Sequence, residues 1–226
     1  MLLTIVGGDG AGKSTVSRLV TERLEAEGRF VDRVDRWDVI DSPQYPLARF
    51  IRPEVREIRA CLAEMENPSR FLFMMWLVGH AVLGRGTGSA QGTVTLLDGY
   101  WMKHAASEIV YGLEPAWTQS VVAGLPEADV VVYLRLDAEE AWRRKRDGDL
   151  VPYECGMDKE CSQDSFVRHQ RKIGAILDDW STRFGWTEID ASAPVEQVVE
   201  SVLELATKAA DSTGVDTTGT PQNAAS

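Results

Sequence analysis

Four residues near the start of the chain have the types and spacing for handling phosphate. Gly7, Gly12, Lys13 and Ser14 satisfy GxxxxGK[ST], directly after the apolar run "LLTIV" and before the periodic "VSRLVTERL". That strand–loop–helix setting separates a phosphate cradle from an ordinary glycine-rich turn. Glycines let successive backbone N–H groups converge on phosphate oxygens, and the helix N-terminus adds partial positive charge. In such a cradle Lys13 reaches the β and γ phosphates and Ser14 ligates Mg²⁺. Asp9, Gly10 and Ala11 complete the loop, and Thr15 reads as a helix-start residue rather than a metal ligand.

Two further groups suit the same chemistry. "TLLDGY" puts Asp98 at the end of a buried strand, the edge at which parallel sheets bind ligands, where a carboxylate can hold Mg²⁺ through water or orient an acceptor. "AWRRKRDGDLVPYECG" gathers Arg143, Arg144, Lys145 and Arg146 just before Gly148. Arginines on a segment that closes over ATP neutralise charge on a transferring phosphoryl group. A solvated helix face is the plainer account of any one of them.

These residues need elements to position them. Besides Leu2 to Val6, the β-rich runs "FVDRV", "TVTLLD", "VVVYLRL" and "WTEID" alternate with helical patterns, which predicts parallel βαβ units with both faces covered. Val16, Leu19, Val20 and Leu24 form a helical stripe that stops at Gly28. "SRFLFMMWLVGHAVLG" reads as a helix buried against the sheet or lining a pocket, and Val195, Val198, Val199, Val202, Leu203 and Ala206 as the stripe of a docking helix. One domain is expected over residues 1–208, followed by a disordered tail at 209–226.

Composition narrows the function classes. With 24 Lys and Arg against 35 Asp and Glu, the net charge of −11 disfavours nucleic acid and membrane surfaces as partners. No apolar stretch reaches the roughly 18 residues of a membrane span, and a cytoplasmic location is expected. Cys61, Cys155 and Cys161 are odd in number and lack CxxC spacing, so reduced thiols are expected.

With these elements in order, the chain resembles the thymidylate kinase family of P-loop nucleoside monophosphate kinases from about Met1 to Lys208. The stretches that carry the likeness are "GGDGAGKST", "LLDGYWMKHAASEIVYG", "RRKRDGDLVPYE" and "EIDAS…VEQVVESVLEL". The resemblance implies a three-layer α/β fold, a five-stranded parallel sheet flanked by helices, with a short Arg-rich lid. It also implies ATP and Mg²⁺ as cofactors, transfer of the γ-phosphoryl group to dTMP, and a homodimer. Carried over by position, Gly7 to Thr15 bind ATP, with Lys13 catalytic and Ser14 on the metal, while Asp98 serves metal or acceptor. On the same basis Arg143, Arg144 and Arg146 belong to the lid, Phe73 stacks on the base, Arg52 meets the acceptor phosphate, and Tyr100 is a substrate-binding candidate.

Two departures fall on the acceptor side. The family's Asp-Arg-Tyr is here Asp98-Gly99-Tyr100, and Leu77 stands where the family has an arginine four residues after the stacking phenylalanine. Lys103 and His104 are replacements by position only, His104 reading more simply as a partly exposed helix residue. A monophosphate acceptor needs cations, whereas a hydroxyl acceptor needs a base. Asp35, Asp38 and Asp41 in "VDRWDVID" are spare carboxylates near the ligand edge, Asp38 being the candidate at the substrate. Three functions therefore stay open: a nucleotide kinase, a small-molecule hydroxyl kinase on the same scaffold, and a nucleotide-binding regulator.

Overall fold

The computed structural model describes residues 1–38, 54–84, 94–148 and 150–212. Five strands form one sheet: β1 (Leu2–Val6), β2 (Val31–Val34), β3 (Val94–Asp98), β4 (Val130–Arg135) and β5 (Thr187–Asp190). Their order is β2-β3-β1-β4-β5, and every pairing is parallel. Register places Ile5 beside Asp98 and Val6 beside Tyr133, so the ends of β1, β3 and β4 reach one edge together.

Strand period two sorts the side chains onto two faces. Leu3, Ile5, Leu96, Val132 and Leu134 face one layer, made by α1 (Lys13–Ala26) and a C-terminal helix, Val195–Ser212. Val6, Val34, Leu97 and Tyr133 face the other. There the cover comes from α2 (Val55–Glu64), α3 (Asn67–Leu83), α4 (Trp101–Val110), α5 (Pro115–Val122) and a long helix, Gln163–Phe184. Between β4 and that long helix lie α6 (Ala138–Lys145) and a 3₁₀ turn, Pro152–Cys155. The long helix is α7, closed by Gly185 in the left-handed conformation, and the C-terminal helix is α8. Central strands buried on both faces explain why "LLTIV" and "VVVYLR" are continuous apolar runs rather than alternating ones.

Three expectations meet the structure here. The "SRFLFMMWLVGHAVLG" stretch is core, with Phe71, Met74, Met75, Leu77, Val78 and Ala81 buried, and only Leu72 and Leu83 expose large apolar area. Helix α8 runs to Ser212, and the rest of the expected tail lies outside the described residues. The expectation of three reduced thiols is overturned: Cys155 and Cys161 are disulfide-bonded, and Cys61 is free. Gly156, Met157 and Cys161 all take positive φ, and that turn folds the segment back until the two Cα atoms are 5.2 Å apart. A spacing of six residues carries no sequence signal for such a turn. Among the described residues no helix is long and apolar enough to cross a membrane.

Candidate active site

The carboxyl edge of the sheet carries the site. After β1 the chain turns through Gly7 to Gly12 into α1, whose N-terminus has no side-chain cap. Uncapped N–H groups at a helix start are an anion site by construction. Gly10 must be glycine for two reasons: its φ is +84°, and a Cβ there would meet the Ala141 carbonyl oxygen at 2.9 Å. The loop is thus pressed against α6. Lys13 Nζ donates to the Gly8 carbonyl at 2.8 Å and spans the loop. Burial pushes the Lys13 ammonium down to about 8, against the pull of Asp9 and Asp98. Ser14 and Thr15 are exposed on the first turn.

A cavity of about 550 Å³ opens over this loop, lined by Asp9 to Val16, by Arg144 and Lys145 of α6, and by residues following β5 such as Ala191 and Ala193. Its size suits a nucleotide. Of the arginine cluster, Arg144 lines it. Arg143 is exposed and pairs with Glu140 at 2.6 Å, while Arg146 is exposed beside Asp147 at 3.5 Å. Arg144 also pairs with Glu140, at 2.9 Å. Lys145, counted in the same cluster but given no role of its own there, also lines the cavity and bonds Glu154.

A smaller cavity, of about 120 Å³, lies on the other side of Asp9, the one residue among those described that lines both. Its walls include Arg36, Trp37, Lys103, His104, Arg70 and Tyr153. Burial raises the Asp9 carboxyl, but the ammonium groups of Lys103, Lys145 and Lys13 outweigh it and hold the group ionised, well below the usual range. Lys103 Nζ sits 2.9 Å from Asp9 Oδ2. His104 is 6% exposed, which corrects the expectation of a partly exposed residue. Its Nδ1 has no partner among the described residues. Burial first, then Arg36 and Lys103, hold the imidazole neutral, well below its ordinary value. Asp98 is 5% exposed at the end of β3, within electrostatic range of Lys13 and Arg36.

Other sequence-derived residues fall elsewhere. Tyr100 is packed in the core with its hydroxyl on the Pro126 carbonyl at 2.9 Å, and it lines neither cavity. Phe73 stacks on Trp76, ring centres 6.0 Å apart, and lines neither cavity. The face of α3 that does line the smaller cavity carries Arg70 and Met74. Arg70 is already occupied: it donates to both Glu108 oxygens at 2.6 and 2.8 Å, to the Met65 carbonyl and to Asn67, between the rings of Tyr111 and Tyr153. Asp38 accepts from the Asp35 N–H at 3.1 Å, and Asp35 accepts from the Trp37 N–H at 3.0 Å, so both carboxylates tie the turn after β2. Partial burial, with Asp35 and Asp98 nearby, raises the Asp38 carboxyl. Arg52 and Asp41 lie outside the described residues.

The residue that sequence reasoning missed is Arg36. Its guanidinium leaves the end of β2 and reaches Gly99, where a Cβ would lie 3.9 Å from Nη1. Its Nε is buried without a partner among the described residues. The arginine absent from position 99 is thus matched by one from the neighbouring strand. A run reading "VDRWD" offers no signal of this, because the contact depends on β2 pairing with β3.

The donor set fits a nucleotide triphosphate with a hard cation. The uncapped helix start and Lys13 would hold phosphates and Ser14 would offer a hydroxyl to Mg²⁺, while Asp98, which lines neither cavity, lies within electrostatic range of Lys13 at the end of β3. Among the described residues no cluster of three or more His, Cys, Asp or Glu could hold a metal by itself. A cation here would draw its other ligands from phosphate and water, as Mg²⁺ commonly does.

The fold and loop together define an α/β protein of the parallel-sheet, phosphate-loop class. A probable thymidylate kinase of Sulfurisphaera tokodaii is 23% identical to the chain over 208 residues, covering 90% of this chain and 94% of that protein. No family model matches.

Proposed function

We propose that the protein is an ATP-dependent kinase that transfers a phosphoryl group to a nucleoside monophosphate, with dTMP the first acceptor to test. The observation that carries the reading is Arg36, a half-buried guanidinium beside Gly99 in the cavity across Asp9 from the phosphate loop. A monophosphate brings its own ionised nucleophile and needs such a cation. The similarity to a probable thymidylate kinase along most of both chains supports the same class. Bound ATP·Mg²⁺ would supply the γ-phosphoryl group and shield its charge. Lys13 then binds the β and γ phosphates, Arg144 approaches from α6 as part of a lid, and Arg36, with Lys103 in the same cavity, holds the acceptor's phosphate.

Transfer to a hydroxyl is the second reading, favoured by the raised Asp38 carboxyl, a property suited to a base. Against it, Asp38 is engaged by the Asp35 N–H. Parallel incubation of labelled ATP with nucleoside monophosphates, nucleosides and phosphate-free metabolites decides between them. Label in a nucleoside diphosphate is the expected result; label in nucleosides or sugars alone would overturn it, and ATP binding without transfer to any acceptor would indicate a regulator.

A further inference from the structure

Helix α7 buries a stripe of Phe166, Gln170, Ile173 and Leu177. Three of the four are the expected core residues; Gln170, 6% exposed, is not. A buried amide is costly unless its groups are bonded. Gln170 makes its bonds to two distant segments. Its Oε1 accepts from the Asp9 N–H at 3.2 Å, and its Nε2 donates to Asp9 Oδ2 at 3.2 Å and to the Glu154 carbonyl at 3.0 Å. A Cβ on Gly8 would stand 3.2 Å from the same Oε1, so the amide lies directly against the loop backbone.

Glu154 extends the connection. Its carboxylate takes a hydrogen bond from Lys145, which lines the cavity over the phosphate loop, and faces Arg59 of α2 at 3.6 Å. Asp9 Oδ2, the oxygen Gln170 contacts, is also the one paired with Lys103. One circuit therefore runs from the loop through Gln170 to Glu154 and back to the cavity through Lys145.

We propose that Gln170 is a positioning residue that ties the phosphate loop to the segment following α6, so that occupation of the loop is transmitted to residues 150–162. Resting on the nucleotide-binding reading above, this goes beyond it in assigning a link between donor site and lid. A glutamine serving burial alone would support the fold without making one segment respond to ligand at the other. Networks of this kind show coupling that single contacts do not.

Hydrogen–deuterium exchange with and without the non-hydrolysable analogue AMP-PNP and Mg²⁺ tests it. In the full wild-type chain, the analogue is expected to slow exchange at residues 7–16 and also at 150–162. In Gln170→Met, which keeps volume but removes all three bonds, protection at 7–16 persists while that at 150–162 falls at least threefold. Gln170→Leu likewise removes all three bonds without adding a charge beside the ionised Asp9, so it gives the same loss should the Met variant not fold. Equal protection of 150–162 in wild type and variants, or none there in wild type, overturns the link alone. Absence of protection at 7–16 in wild type overturns the nucleotide reading and the link with it.

Discussion

Replacing Arg36 with Met tests where the acceptor's charge is met. The guanidinium is half-buried, its Nε has no protein partner among the described residues, and it stands beside Asp98 and Gly99. A hydrogen bond from a charged group contributes about 1.5–3 kcal/mol. At 1.36 kcal/mol per decade, that is a loss of about 10- to 150-fold in kcat/KM for the acceptor. ATP affinity should stay within about threefold, because Arg36 does not line the larger cavity.

The companion substitution is Gly99→Arg, which by sequence alone looks like restoration of a missing arginine. Gly99 has φ +80°, a conformation that costs a residue with a Cβ about 1–2 kcal/mol. The new guanidinium would also compete with Arg36 for one place. Alone it should lower Tm by about 2–8 °C and weaken acceptor turnover. Combined with Arg36→Met it should recover part of the lost kcat/KM, since one arginine then occupies the place of the other. Initial rates in a coupled ADP assay, with acceptor varied at saturating ATP, read all three variants. Arg36→Met within threefold of wild type would refute the reasoning, as would a double variant no better than the single one.

Lys13→Ala should cost about 10²–10³-fold or more in transfer rate in a folded protein, measured by single turnover, because it removes a preorganised cation from the phosphates. Lys13 is charged below about pH 8 and loses its proton above it, so ATP affinity should fall as pH rises past 8, with proton uptake on binding. Calorimetry in buffers of different ionisation enthalpy reads that uptake. Arg144→Ala should lower kcat at least about tenfold, while Arg143→Ala and Arg146→Ala, both exposed, stay near wild type in the same assay. Asp35→Asn and Asp38→Asn should both retain transfer to a monophosphate; a steep loss of kcat in either would point to a base and a hydroxyl acceptor. Glu108→Gln leaves Arg70 uncompensated at 2% exposure and should cost about 3–5 kcal/mol in urea unfolding.

What the sequence determined was local. The phosphate loop is eight consecutive residues between a strand and a helix, so its pattern survives without knowledge of neighbours. The central strands were legible because buried parallel strands are apolar runs, the edge strands β2 and β5 only from short β-rich runs between helical patterns, and each formed within a residue of its expected bounds. The acceptor side was decided by tertiary structure. Phe73 and Tyr100 were placed by position in a pattern, but the rotation of α3 puts Arg70 and Met74 on the cavity instead, while Lys103, also placed by position, does line it. Arg36 reaches Gly99 only because β2 and β3, 60 residues apart, pair in parallel with Val34 beside Leu97. Gln170 and Asp9 are 161 residues apart, and nothing in sequence marks Gln170 out from Ser165, His169 and Ser181, the other polar residues buried on the same helix. Its meaning depends on which backbone groups the folded chain brings within hydrogen-bonding distance, and no periodicity encodes that.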